Sequence, residues 1–96
     1  MYNLQEDLGK VKSIKLSNGV ELVASILAID EDKGFINLGE PRVVVINDDA
    51  LALIPYIFTG PSDEVIVRLS EIQSMVDTLE QSAKDYTSII EEKEVD

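Results

Sequence analysis

The sequence predicts a small, mainly β fold: a strongly bent five-stranded barrel followed by a C-terminal amphipathic helix. Three observations predict it. From Val11 to Leu69, short alternating or wholly apolar runs follow one another between Gly, Pro, Asn and Asp punctuation, the pattern of a small all-β barrel. Asn18-Gly19 separates Lys15-Leu16 from Val20-Glu21-Leu22, and Asn-Gly between alternating apolar runs is the strongest short-range hairpin signal. From Ile72 the period changes, with apolar residues at three- and four-residue steps through Ile90.

In the first strand Val11, Ser13 and Lys15 alternate with Lys12, Ile14 and Leu16, which suits burial of part of one face. Lys10, Lys12 and Lys15 make it locally basic, and the expectation is a solvated or edge-protecting face. Asn18-Gly19 is expected as a two-residue turn with positive φ at both positions. Val20 to Ile29 is long for a strand. Its polar-out alternation fails from Ile26 onward, as in a bent, barrel-closing strand buried on both sides. Asp30 to Gly34 is a loop by composition, and Phe35 to Leu38 resumes the strand. Gly39-Glu40-Pro41 is expected to interrupt it before Arg42 to Ile46.

Asn47-Asp48-Asp49 is a turn, and Leu51 to Phe58 another strand, in which Pro55 argues for an edge position or a bulge. Thr59 to Asp63 is a loop and Val65 to Leu69 a strand. Ile72 to Val76 fits two patterns. It is either the start of a helix N-capped by Ser70, or a last short strand with the helix beginning near Asp77 or Thr78. The expected division is a barrel over residues 1–76 and an acidic helix over 77–96.

Ninety-six residues that are 45% hydrophobic make one globular domain. No apolar run approaches the roughly 20 residues needed to span a bilayer. The polar, acidic stretch from Met1 to Lys10 predicts no secretory leader. Without cysteine there is no disulfide framework and no thiolate metal site, so a reducing, cytoplasmic setting is expected. The net charge is −11. Residues 1–76 hold 12 acids against 6 bases, and residues 77–96 hold 7 against 2, so the tail is the more acidic by density. That balance weighs against non-specific nucleic-acid binding, which Lys and Arg supply by neutralising phosphates.

Catalysis finds little support. The chain has no His and no Cys, and no Ser in a recognisable nucleophile setting. Asp30-Glu31-Asp32 lacks the spaced oxygen ligands of a calcium loop, and no glycine-rich phosphate loop is present. The expectation is a non-enzyme with no metal and no cofactor.

One constellation stands out. The segment Lys15 to Leu38 holds a strand ending in Asn-Gly, a second strand leading to Asp30, and then Phe35-Ile36-Asn37-Leu38. It resembles the first motif of the Sm/LSm-like (Hfq-like) family. Val67-Arg68-Leu69 followed by Ile72 resembles the second, where Sm proteins carry an aliphatic residue, Arg or Lys, then Gly. Together the two motifs cover about a third of the chain. The chain looks most like the divergent small Sm-like proteins carried by marine cyanophages. It departs from the family in four residues, Glu31 to Gly34, where one is usual, and in Leu69 where glycine is usual. Residues 39–63 are a long connection, and the helix comes at the C-terminus with no helix signal at the N-terminus.

The resemblance implies a homo-oligomeric ring, with the fourth strand of one subunit paired to the fifth of the next, binding single-stranded RNA or DNA without catalysis. Phe35 would stack on a base, Asn37 would read its edge, and Arg68 would meet base or phosphate. Asp30 would lie at the same site. Each has a plainer alternative: Phe35 as core, Asn37 as an amide holding the loop, Arg68 as a solvated charge and Asp30 as a loop-orienting acceptor. The rival function is an oligomeric adaptor that uses the apolar strand Leu51 to Phe58 and the terminal helix for protein partners.

Overall fold

The structure, a computed structural model, describes residues 4–94. A one-turn 3-10 helix, Leu4–Asp7, precedes six strands: β1 (Val11–Leu16), β2 (Glu21–Asp30), β3 (Phe35–Asn47), β4 (Ala50–Pro55), β5 (Glu64–Arg68) and β6 (Ile72–Asp77). A second 3-10 turn, Leu69–Glu71, joins β5 to β6, and helix α1 spans Glu80–Glu94. The strands run antiparallel in the order β4-β3-β2-β1-β6, and β5 also pairs with β3. No helix among the described residues is long and apolar enough to cross a membrane.

Six strands are found: the five runs read between residues 11 and 69, and a last one, β6, over residues 72–77. β4 lies along residues 42–47 of β3 and β5 along residues 35–39, on the edge opposite β2. The apolar run 51–58 leaves the sheet at Pro55, which cannot donate to a ladder, so Ile57 and Phe58 belong to the connection. Of the two readings of residues 72–76, the strand is the one found. β6 pairs with β1, Ser13 facing Val76 and Ile14 facing Met75.

The hairpin lies where Asn-Gly places it, but with a three-residue loop. The Gly19 N–H donates to Leu16 O (2.9 Å) and the Leu16 N–H to Val20 O (2.8 Å). Among residues 17–19 only Gly19 has positive φ, +91°. This is a turn followed by one left-handed residue, a common three-residue hairpin loop. Asn18 contributes through its side chain instead, with Oδ1 accepting the Val20 N–H at 3.0 Å.

Two bulges bend the β2–β3 pair. On β2, Leu27 is the extra residue between the pairs Ile26–Leu38 and Ala28–Asn37. On β3, Glu40 and Pro41 together oppose Ala24, and Glu40 takes φ +47°. Gly39-Glu40-Pro41 therefore kinks β3 without ending it, and Pro41 sits where the ladder is already interrupted. A side chain at Gly39 would meet Leu27, 3.1 Å from the position a Cβ would take. Burial on both sides of β2 falls at Leu22, Val23 and Ala24, earlier than the alternation suggests, and Leu27 and Ala28 are exposed. The core lies on one face of the bent sheet. Ile14 and Leu16, Leu22, Ala24 and Ile26, Ile36 and Leu38, and Val67 meet there.

Lys12 corrects the expectation of a solvated lysine face. It shares a face with Ile14 and Leu16 and is only 3% exposed. Its ammonium lies 3.1 Å from Asp7 Oδ1 and 2.7 Å from Asp77 Oδ1.

Helix α1 is held chiefly through Tyr86, its one buried side chain among those described. The hydroxyl makes a bifurcated bond to the carbonyls of Gly39 (2.7 Å) and Glu40 (3.0 Å), at the β3 bulge. Burial pushes the Tyr86 phenol above its ordinary value of 10.0. Tyr86→Phe would leave both carbonyls without this donor. A loss of about 1–3 kcal/mol is expected in urea unfolding, together with faster amide exchange in α1. Because the folded phenol resists ionisation, native stability falls as pH rises past 10, and the Phe variant would lack that alkaline loss.

Candidate nucleic-acid interface

Phe35, Asn37 and Arg68 stand on one face of the sheet. β3 and β5 align with Phe35 opposite Arg68, Asn37 opposite Ile66 and Gly39 opposite Glu64. Side chains opposite one another, and those two apart along a strand, point the same way. These six residues therefore form a three-rung surface, while Ile36, Leu38 and Val67 of the other parity enter the core. Phe35 is 37% exposed, so its ring is not core, and Ile66 is 62% exposed beside it. Arg68 is also exposed.

Asn37 is half-buried, and its Nδ2 donates to Glu64 Oε2 at 2.7 Å. That bond fastens β3 to the first residue of β5, directly after the 56–63 connection. Asp30 shapes the neighbouring loop. Its Oδ1 accepts the Lys33 N–H (3.0 Å) and its carbonyl accepts the Gly34 N–H (2.8 Å), closing residues 31–34 between the register partners Asp30 and Phe35. The Leu69 N–H donates to Gly34 O at 2.8 Å, and the Leu69 side chain packs against the core. The residue standing where Sm proteins carry glycine thus links the two motif segments through its backbone.

Beside Asn37 lies an open groove of about 590 Å³, lined also by Gln5, Ala28, Asp30, Glu31 and Asp32. Charge there is mostly negative. Residues 30–37 and 64–68 carry Asp30, Glu31, Asp32 and Glu64 against Lys33 and Arg68. The face can stack a flat ring on Phe35 and Ile66, hydrogen-bond an edge at Asn37 and Glu64, and meet a single anion at Arg68. Phosphate attraction is weak in such a setting, so any nucleic-acid recognition must rest on the bases. Glu64 and Ile66 were not among the residues anticipated from the sequence. Their signal was there, since both share the parity of Arg68 on its strand.

No protein-family model matches the chain, and no curated protein sequence does. Solved structures do. A heptameric archaeal Sm protein, described for its implications for the eukaryotic snRNP core, aligns over 79% of this chain and 96% of its own, at 17% identity and a TM-score of 0.54. The fold is that of the Sm proteins. The P. aerophilum SmAP1 heptamer gives the same identity and TM-score, over 79% of this chain and 88% of its own. A chain from the NatC complex bound to CoA also shares this Sm-like fold, with a TM-score of 0.55 at 13% identity over 90% of this chain and 96% of that one. The six-stranded sheet and terminal helix described above are therefore an Sm-like fold.

Proposed function

We propose that the chain binds single-stranded nucleic acid, RNA in the first place, without catalysis and as a homo-oligomeric Sm-like ring. The observation that carries this reading is the exposed rung of Phe35 and Arg68 beside Asn37. An aromatic ring, a guanidinium and an amide on one face are the groups that hold unstacked bases. Ring formation is supported by the heptameric state of the two Sm proteins and by the outer edges of β5 and β6, which no strand among the described residues covers. On this reading the chain is a divergent Sm/LSm-like, Hfq-like protein of the kind carried by marine cyanophages. It acts in the host-cell cytoplasm in RNA processing, with residues 1–76 as the ring domain and the acidic 77–96 helix outside it. Asp30 serves by holding the loop rather than by touching the strand.

The test is fluorescence anisotropy with oligo-U, oligo-A and single-stranded DNA at low and moderate salt, comparing wild type with a Phe35→Ala/Arg68→Ala double variant. Micromolar or tighter binding that weakens with salt is expected. The double variant should lose about 1–3 kcal/mol for each stacked base. Absence of binding to every oligomer at low salt would overturn the proposal.

A second reading has its own support. Ile46, Leu51 and Phe58 are all more than 60% exposed, and one structural neighbour is part of a multiprotein complex. An adaptor that docks protein partners on these exposed apolar side chains would bind no oligomer and would elute in a mixed assembly.

A further inference from the structure

We infer that the β3–β5 face selects guanine, a specificity that rests on the single-strand-binding reading above and adds the base to it. The Asn37–Glu64 bond decides which hydrogen-bonding groups the face presents. With Nδ2 donating to Glu64 Oε2, the pair retains one amide hydrogen as donor. Asn37 Oδ1 and Glu64 Oε1 are the acceptors, and no hydrogen bond engages either among the described residues. One donor and two acceptors complement an edge with one acceptor and two donors. Guanine has that edge, in O6, N1–H and N2–H₂. Uracil has two acceptors flanking one donor, and so needs two donors from the protein. Cytosine likewise has two acceptors and one donor, and adenine offers one of each.

The remaining groups suit the same base. A purine is large enough to cover both Phe35 and Ile66 while its edge reaches the second rung, where Asn37 stands, and the third, where Glu64 stands. Carboxylate acceptance of N–H groups is charge-assisted, and gains most from the two adjacent donors of guanine. The negative surroundings of Asp30, Glu31 and Asp32, which disfavour phosphate, do not oppose a donor-rich edge.

The experiment uses fluorescein-labelled nine-nucleotide RNAs, all uridine except for a central guanosine, inosine, adenosine or uridine. Binding is read by anisotropy for the full-length protein and for Glu64→Gln, an exposed position whose amide replaces one acceptor by a donor. Wild type is expected to hold the guanosine strand about five-fold or more tighter than the others, the lower end of what a bidentate base contact supplies. Inosine differs from guanosine only in lacking the 2-amino group, so that contrast isolates the second donor. Glu64→Gln should reduce the guanosine-to-inosine ratio to near one while still binding the strand. Equal affinity of wild type for all four strands, lost in Phe35→Ala/Arg68→Ala, would overturn guanine selection and leave single-strand binding standing. No binding to any strand would overturn both. Displacement by free GMP at the strand's own concentration would overturn the strand as the ligand.

Discussion

Lys12→Ala should cost about 3–5 kcal/mol of folding stability, the usual consequence of removing one partner of a buried ion pair. The lysine joins the first 3-10 turn to the paired strands β1 and β6. It lies in β1 with its stem among core residues and its ammonium 3.1 Å from Asp7 in the first 3-10 turn, both side chains about 95% buried. The same ammonium reaches Asp77 at 2.7 Å, at the end of β6 and opposite Lys12 in the strand register. Truncation to alanine takes the counter-charge from a carboxylate held away from water and opens a space the length of the lysine stem. For a domain of this size the loss is a large share of total stability. It is read as a lowered urea midpoint with an unchanged m-value. A Lys12→Met/Asp7→Leu double variant, apolar and similar in volume, should recover most of it, because both buried charges are replaced and the Asp77 carboxylate left behind is solvent-exposed. A Lys12→Ala midpoint equal to wild type would refute this account.

The same contact carries a pH dependence. The hydrogen bond and charge of Lys12 hold the Asp77 carboxyl below its ordinary value of 3.8. A depressed acid contributes stability that is complete above its unfolded value and lost as pH falls through the folded one. Wild type should therefore show an acid-limb loss below pH 3.8 that is diminished in Lys12→Ala. Asp77 is solvent-exposed and its share is modest, so the comparison is best made at low ionic strength.

Features of the fold that depend on local chemistry were legible in the chain, and those that depend on long-range register were not. Asn18-Gly19 marks the hairpin because glycine alone takes φ +91° without strain, but the loop length follows from how Leu16 meets Val20 across the strands. The parity of Phe35 and Asn37 on one strand is local, so their shared face could be anticipated; that Arg68 joins it follows from the β3–β5 register, which sets it opposite Phe35. The Asn37–Glu64 bond could not be anticipated, because it depends on how residues 56–63 return the chain to β3. Lys12 reads as a surface residue until Asp7 and Asp77 are known to converge on it from 5 and 65 residues away. Tyr86 lies on the apolar side of a helical pattern. What it binds is a pair of carbonyls at a bulge in another element.

The second large effect concerns assembly. In the proposed ring, β6 of one subunit adds to the outer edge of β5 in the next, and exposed apolar side chains on those edges pair across the junction. Val76 on β6 is 60% exposed although apolar, and it faces Ser13, so its own sheet does not cover it. Val76→Lys places an edge-blocking charge at that junction. The expected product is a folded protein of 10.6 kDa in native mass spectrometry, where wild type gives a closed multiple of that mass. Strand binding should fall with it. A long RNA held at several subunits benefits from effective concentration, and losing all but one contact costs about 10²–10⁴-fold in affinity. Lysine is chosen because its charge favours nucleic acid, so weaker binding has to come from lost multivalency rather than repulsion. Affinity for a strand short enough to occupy one subunit should change little. If Val76→Lys were monomeric yet bound long and short strands as wild type does, the face on β3 and β5 would act alone and the ring would have no part in recognition.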